Sequence, residues 1–300
     1  MKHPISKIAI LAATVGLATA SYAASTGDSG RGAGHAGSDR TLAAKTDGYG
    51  STSSGSTSLS GPNGAASRSQ GRGHWGYEGN TGPEHWGALS ADYHMCRDGQ
   101  AQSPIDIDAA DGNATGEIEF DYHLTPMKVL HNGHTVQVNY APGSGVTIKG
   151  KRYELLQFHF HTPGEHAVGG ERALMEVHFV HKSADGQLAV IAAMMKAGEE
   201  NLALREIWHG MPQRRAAEKE SANITINARD LLPSNRTYYR YIGSLTTPPC
   251  SEGVNWLVLQ EPITVSAQQA ERFAKAVRGN NARPLQAVNN RLLLAPADVN

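Results

Sequence analysis

Short apolar runs alternate with turn-forming Gly, Pro, Asn and Asp residues along most of the chain after residue 115. Runs of this length between turn signals are typical of β-strands. The predicted strands cover 116–121, 127–131, 135–140, 145–149, 155–161, 174–181, 187–195, 223–226, 237–241 and 254–260. We therefore expect a mainly β (α+β) fold, a single domain built on a large, twisted and mostly antiparallel sheet.

Helical periodicity is clearest in two segments. One runs from Glu199 to Trp208. The other follows Ser266, which forms a capping-box pattern with Gln269 and precedes apolar residues at helical spacing. Gly279 is expected to end this second helix. Helices should therefore be few, short and peripheral.

The first 23 residues have the pattern of a secretory signal peptide. Lys2 and Lys7 precede an apolar run over residues 8–17, and small residues follow it. Cleavage after Ala20 and cleavage after Ala23 both fit the pattern. The apolar run is too short to span a bilayer, so a membrane anchor is the less favoured interpretation. We expect export, either to the periplasm or out of the cell.

Composition divides the rest of the chain in two. Residues 24–73 are dominated by Gly, Ser, Ala and Thr, which predicts a flexible spacer. From His74 onward the aromatic and apolar content rises, and we expect one folded domain over residues 74–300. The 27 Lys and Arg residues nearly balance the 28 Asp and Glu residues. This balance indicates neither a nucleic acid nor an anionic membrane as a partner.

Cys96 and Cys250 are the only cysteines of the chain. An even number of cysteines in an exported protein favours a disulfide. Two buried free thiols remain the alternative on this argument alone.

Two predicted strands direct three histidines toward one point. Strand side chains alternate between faces, so Gln157, His159 and His161 share one face of the first strand. Glu176 and His178 share a face of the second. If the strands are neighbours, three imidazoles converge with polar partners beside them. A catalytic zinc ion takes such a set: three neutral nitrogen donors, an open fourth position and acceptors behind the rings.

Separate hydrogen bonds to each histidine are the alternative to a metal. The strands are flanked by large apolar residues, so the histidines should be buried. Burying three imidazoles without partners costs free energy, and one metal ion satisfies all three together. On spacing and chemistry alone, a zinc site and separate hydrogen bonds therefore both remain open.

Three loop motifs accompany the histidines. In Gly243–Pro249, two threonines precede two prolines that stiffen the backbone. Asn132 and Gly133 form a turn with His134, whose side chain can titrate near neutral pH. Glu165 follows shortly after His161 and could orient a hydroxyl group. Each motif alone is an ordinary loop.

Together, these residues closely resemble the α-class carbonic anhydrases, in particular the secreted or periplasmic bacterial type. The matching segments follow the family's order over nearly the whole domain. They are His74–Tyr77, Gly82–Trp86, Gln102–Ile107, Asn132–His134, Gln157–His161, Gly164–His166, Glu176–His181, Ser244–Pro249 and Arg283–Gln286. The resemblance implies Zn²⁺ as the cofactor and carbon dioxide and bicarbonate as the small-molecule substrates.

The resemblance also assigns roles at the metal site. The implied zinc ligands are His159, His161 and His178. The implied supports behind these rings are Gln157, Glu176 and a backbone carbonyl near Asn281. The implied disulfide joins Cys96 and Cys250.

The implied reaction is the reversible hydration of carbon dioxide to bicarbonate and a proton. Zinc-bound hydroxide would attack the substrate, Thr246 and Glu165 would orient that hydroxide, and His134 would shuttle the proton to solvent. The implied substrate pocket consists of Val180, Val190, Leu245, Thr247 and Trp256. The residues implied to order water on the proton path are Tyr77, Asn132 and Gln137. Of these, Gln137 departs from the asparagine common in relatives.

Two other functions deserve comparison with catalysis of hydration. A non-catalytic carbonic anhydrase-like binding module would typically lack one or more zinc ligands, and this chain keeps all three. A zinc esterase is the other alternative, but the chain has no serine nucleophile-elbow motif. The resemblance also allows a homodimer.

Overall fold

The computed structural model describes residues 73–296 except residues 109 and 115. The predicted signal peptide and nearly all of the predicted spacer lie outside the described residues. Within the described part of the chain, no helix has the length and apolar content needed to cross a membrane.

The described residues form fifteen strands. They are β1 (Asp106–Ile107), β2 (Gly112–Ala114), β3 (Ile118–Asp121), β4 (Thr125–His131), β5 (Val136–Asn139), β6 (Gly145–Ile148), β7 (Lys151–His161), β8 (Ala167–Val168), β9 (Glu171–Arg172), β10 (Met175–Ser183), β11 (Leu188–Ala197), β12 (Ala216–Ile226), β13 (Tyr238–Ser244), β14 (Glu252–Val265) and β15 (Leu294–Pro296). Twelve of them belong to one sheet with the order β12-β4-β5-β7-β10-β11-β14-β13-β15-β2, from which β6 and β3 branch at β7. The other three form a small sheet with the order β1-β8-β9.

The expected large, mainly antiparallel sheet is confirmed, with two parallel joins. Strand β11 runs parallel to β14, and β15 runs parallel to β2. All ten predicted strands correspond to observed ones, although several are longer than predicted. The missed strands have only two or three residues each, too few to show an alternating pattern.

Four α-helices lie among the described residues: α1 (Trp86–Leu89), α2 (Met95–Asp98), α3 (Leu202–Gly210) and α4 (Ala267–Val277). Helix α3 begins three residues later than predicted because the Asn201 side chain accepts a hydrogen bond from the Leu204 N–H and caps it. Helix α4 has the predicted capping box between Ser266 and Gln269. It ends at Val277, two residues before the predicted stop at Gly279, since Arg278 already adopts a left-handed conformation with φ 66°.

The central strands are buried on both faces. On one face, Phe158 and Phe160 of β7 are fully buried and join a large apolar cluster with Phe179 of β10. Phe160 packs edge-on against Trp208 of α3, with the ring centroids 4.8 Å apart. Burial of each such ring contributes about 1.5–3 kcal/mol. This face anchors β7 and β10, so the residues on their opposite face are held in fixed positions.

A disulfide joins Cys96 of α2 to Cys250, so the alternative of two free thiols does not apply. The two cysteines are 154 residues apart in sequence. In the chain-entropy model, closing so long a loop stabilises the fold by about 5 kcal/mol. The bridge fixes the loop 245–251 to the segment that precedes β1.

Candidate metal centre

Three histidine side chains meet where β7 pairs with β10. In the antiparallel register, His159 lies opposite His178, and His161 lies opposite Glu176. The ring centroids of the three histidines are 4.6–5.4 Å apart. One nitrogen from each ring lies within 4.8 Å of the others. We call His159, His161 and His178 the histidine trio.

Each ring of the trio is held through one nitrogen by a hydrogen-bond acceptor. His159 Nδ1 is 2.9 Å from Gln157 Oε1, and His178 Nε2 is 2.8 Å from Glu176 Oε1. His161 Nδ1 is 2.8 Å from the backbone oxygen of Asn281. These acceptors set the tautomers, because each bonded nitrogen must carry the proton. The other nitrogen of each ring therefore has a free lone pair.

The free nitrogens suit a metal ion. His161 Nε2 is buried and has no hydrogen-bond partner among the described residues. Such an orphaned buried atom is costly unless something binds it. Three neutral imidazole donors with acceptors behind them match a catalytic zinc site with an open fourth position. The residues present therefore fit a zinc ion.

Burial keeps the trio neutral. It is the largest cause that lowers the pKa of His159 and His178, and it lowers the pKa of His161 to about 4. Mutual repulsion between charged forms of the rings adds to the effect on His159. Because only neutral imidazole binds a metal, the trio can bind a metal ion at neutral pH.

Glu176 supports more than one ring. Burial opposes its ionisation, but His166 and His178 outweigh burial and hold the pKa of this carboxyl well below its usual value. His166 Nδ1 lies 2.7 Å from Glu176 Oε1, and the His166 backbone N–H donates to Oε2. A second grouping of possible ligands, His166 with Glu176 and His178, is therefore part of the support behind the trio.

Sequence reasoning missed the continuation of this network. His166 Nε2 lies 2.7 Å from the hydroxyl of Tyr241, which lies 2.8 Å from Ser103 Oγ. Ser103 in turn exchanges backbone-to-hydroxyl hydrogen bonds with Ser244. Hydrogen bonds therefore connect His178, through Glu176, to Ser244, which directly precedes the loop 245–251. The only signal in the sequence was the position of His166 directly after Glu165.

Glu165 and Thr246 come together on the same side as the trio. Glu165 is fully buried, and its Oε1 accepts a hydrogen bond from the Arg283 backbone N–H. Burial raises the pKa of Glu165, whereas His178, the Arg283 N–H and the Thr246 hydroxyl lower it. Glu165 Oε2 lies 3.9 Å from His178 Nδ1 and has no hydrogen bond of good geometry among the described residues.

Apolar residues from three strands and a loop lie beside the trio. Val190 and Trp256 are buried in a second apolar cluster, and Val180 and Leu245 pack against it from partly exposed positions. The Trp256 ring is edge-on to His178, with centroids 4.9 Å apart. Thr247 is half-buried in the adjoining loop. The contact of Trp256 with His178 therefore places this apolar cluster beside the trio.

His134 lies on the turn between β4 and β5. Its ring is stacked on Trp75, with centroids 3.6 Å apart and planes 7° from parallel. Burial is the main cause that lowers the pKa of His134 to about 4, and nearby His74 and Arg215 lower it further. In the described part of the chain, no ring contact links His134 to the trio.

The three residues predicted to order water lie around this turn and beside Glu165. Asn132 Oδ1 caps the turn by accepting from the His134 N–H. Gln137 lies opposite His159 in the β5–β7 register, and its amide donates to Asn139. Burial raises the pKa of Tyr77 well above its usual value, and the charge of Glu165 raises it further.

Comparisons with known proteins agree with this geometry. Residues 81–296 match the model of the eukaryotic-type carbonic anhydrase family. A carbonic anhydrase of Pectobacterium carotovorum is 42% identical over 74% of this chain and 90% of its own length. One from Nostoc sp. is 43% identical over 74% of this chain and 85% of its own.

A solved structure has the same fold. The α-carbonic anhydrase of Thermovibrio ammonificans, in complex with the inhibitor sulfanilamide, is 44% identical and superposes with a TM-score of 0.72. The match covers 75% of this chain and all of that one. The family match covers most of the chain and includes every residue of the metal centre, so this protein belongs to the eukaryotic-type, or α-class, carbonic anhydrase family.

Proposed function

We propose that this carbonic anhydrase hydrates carbon dioxide reversibly to bicarbonate and a proton, with a zinc ion bound by His159, His161 and His178. The observation that carries the metal assignment is the convergence of three imidazoles, His161 and His178 fully buried and His159 half-buried, each with one ring nitrogen tied to an acceptor. A bound zinc ion would supply Lewis acidity and would bring the pKa of a bound water to near neutrality.

Glu165 and Thr246 would orient the nucleophile. An ionised carboxylate only accepts hydrogen bonds, so Glu165 would accept a hydrogen bond from the Thr246 hydroxyl, which keeps its proton. The Thr246 oxygen would in turn accept a hydrogen bond from the attacking hydroxide. This contact would direct a lone pair of the hydroxide at the carbon atom of carbon dioxide. The Arg283 N–H fixes Glu165 in position, and a nearby dication would favour its ionised form.

The apolar residues beside the trio would hold the substrate. Carbon dioxide is small and has no net dipole, so a wall of Val180, Val190, Leu245 and Trp256 would bind it without a strong polar contact. Thr247, at the partly exposed edge, would meet the more polar product. The weak affinity of an apolar wall for bicarbonate favours release of the anion.

His134 would carry the proton to solvent, helped by water held near Tyr77, Asn132 and Gln137. Burial in the stacked position lowers the pKa of His134 to about 4. With so low a pKa, the stacked ring accepts a proton poorly at neutral pH. We therefore propose that the ring works as a shuttle after it leaves Trp75 and becomes more hydrated. The stacked ring is then the resting position.

We further propose that the enzyme is exported and acts in the periplasm or outside the cell. Residues 1–23 would be removed as a signal peptide, residues 24–73 would be a spacer, and residues 74–300 would form the catalytic domain. The Cys96–Cys250 disulfide supports this proposal, since such bonds persist in oxidising compartments. The non-catalytic and esterase alternatives have no feature of the site in their favour.

The test is a stopped-flow carbon dioxide hydration assay combined with zinc analysis. His178→Ala should lose nearly all activity and bind zinc far more weakly. His209→Ala removes an exposed histidine outside the site and should match the wild type in both measurements. Substantial turnover by a zinc-free His178→Ala protein would contradict the assignment.

A further inference from the structure

A cavity of about 250 Å³ adjoins His134, and its lining is rich in positive charge. Arg214 and Arg215 reach it from the bend that precedes β12, and Arg278 reaches it from the end of α4. His74 and His131 complete its titratable lining. The three arginines therefore come from two distant parts of the sequence to one place beside the proposed shuttle. We call this the arginine cavity.

The guanidinium groups of the arginine cavity have no acidic partners in the described part of the chain. The nearest cation on α4, Lys275, pairs instead with Glu271. Glu78 lines an adjoining cavity of about 320 Å³ that shares His134 and Arg278 with the first, yet it forms no ion pair with Arg278. The cavity thus concentrates unpaired positive charge in a protein of net charge −1.

A structural role explains only part of this arrangement. The negative end of the α4 dipole favours a cation at Arg278. That argument does not extend to Arg214 and Arg215, which belong to the approach to β12. The three arginine side chains are exposed, so their like charges repel one another through water, and clustering them without a counter-ion has a small cost in stability. An anion bound among them would remove this cost.

We propose that the arginine cavity binds hydrogen phosphate, which accepts the proton that His134 releases. Planar guanidinium groups match the oxygen spacing of phosphate. The cavity has room for this ion and several waters, each of which occupies roughly 30 Å³. This inference depends on the proposed role of His134 as the shuttle.

The proton transfer balances with these groups alone. An N–H bond of the His134 imidazolium breaks, and an O–H bond forms on HPO₄²⁻. The products are neutral imidazole and H₂PO₄⁻. The loss of one negative charge weakens the attraction of the arginines for the ion, which favours its exchange for a fresh acceptor.

The test compares turnover at rising phosphate concentration and constant ionic strength in the wild type and in the double variant Arg214→Ser/Arg278→Asn. Asparagine suits position 278 because it tolerates the left-handed backbone there. Arg215 stays, since its charge affects His134 directly. Wild-type turnover should saturate with phosphate. In the variant, half-saturation should need roughly two- to fivefold more phosphate for each arginine removed, as for exposed charge pairs.

Two controls isolate the site. The variant Arg229→Ser/Arg272→Ser makes the same change in net charge at exposed residues that line neither cavity and should behave as wild type. In an imidazole buffer, whose base is neutral, all three proteins should turn over equally fast. Equal phosphate dependence in the wild type and the Arg214→Ser/Arg278→Asn variant, or an equal shift in the control variant, would overturn the proposal.

Phosphate binding measured by ³¹P line broadening separates this proposal from the proposed function. Binding needs no catalysis, so the wild type should broaden the phosphate signal more than the arginine variant does at the same concentration. A wild type with no hydration activity in any buffer would defeat the proposed function. Saturable phosphate binding that the arginine variant weakens would still establish the anion site.

Discussion

The proposed zinc ligands lie on strands, whereas the residues proposed to handle hydroxide and protons lie in loops. His159 and His161 belong to β7, and His178 belongs to the neighbouring β10. Glu165, Thr246 and His134 lie in the loops 162–166, 245–251 and 132–135. The first set is fixed by the register of one strand pair, and the second depends on contacts between distant segments.

The contacts that hold the loops span most of the domain. The Arg283 N–H that binds Glu165 is 118 residues away in sequence. The Asn281 amide that donates to the His134 carbonyl is 147 residues away. Ser103, which supports Ser244 at the start of the Thr246 loop, is 141 residues away. The pairing of β7 with β10 therefore places the trio, with one distant support in the Asn281 oxygen behind His161, whereas the placement of the loops depends on distant contacts throughout.

The largest expected effect comes from removal of the disulfide that fixes the loop 245–251. The variant Cys96→Ser/Cys250→Ser should lose about 5 kcal/mol of unfolding free energy, because the unfolded chain regains the entropy of a long loop. Denaturant unfolding at equilibrium measures this loss. Under conditions where the variant is folded, its zinc affinity should remain near the wild-type value. A large loss of zinc affinity in the folded variant would show that the strands do not place the trio independently.

Replacement of the Thr246 hydroxyl tests a loop residue without changing the histidine trio. Thr246→Val keeps the shape of the side chain but removes the hydrogen bonds that would orient the hydroxide. We expect kcat/KM to fall about 100-fold, the scale of a misplaced reacting group, with zinc content unchanged. The matched variant Thr247→Val alters a half-buried neighbour and should lose less than tenfold. Equal losses for the two threonines would remove the special role of Thr246.

The difference between strand residues and loop residues also explains how much of the site the sequence could predict. Alternation along β7 and β10 predicted that His159, His161 and His178 share a face, because period-two patterning needs only neighbouring residues. Periodicity alone could not place Glu165, Thr246 or His134; the resemblance to a family proposed their roles. The link from His166 through Tyr241 to Ser103 was missed, since three polar residues in separate segments have no common spacing. The parallel join of β11 and β14 was also missed, because the pairing of two strands that are distant in sequence leaves no local pattern.

Replacement of the acceptors behind the trio compares two strand positions. Glu176→Gln leaves one carbonyl oxygen for the His166 and His178 donors and adds an N–H₂ group that finds donors around it. Zinc affinity should fall 10- to 100-fold, as measured with a competing chelator. Gln157→Ala removes a support that is only half-buried, where water can replace the lost acceptor, and should cost less than tenfold. A greater loss for Gln157→Ala would mean that burial does not set the importance of these supports.

The smallest expected effect concerns the stack of His134 on Trp75. Trp75→Ala exposes the imidazole, and since burial is the main cause of its low pKa, that pKa should rise from about 4 toward 6.5. NMR titration of the histidine ring signals measures the shift. A higher pKa makes His134 a better proton acceptor at pH 7, so kcat in dilute buffer should rise or hold while kcat/KM stays constant. Trp75→Phe retains a ring for stacking and should shift the pKa less. A pKa that stays near 4 in Trp75→Ala would assign the depression to the charges of His74 and Arg215, and Arg215→Ala would then produce the rise instead.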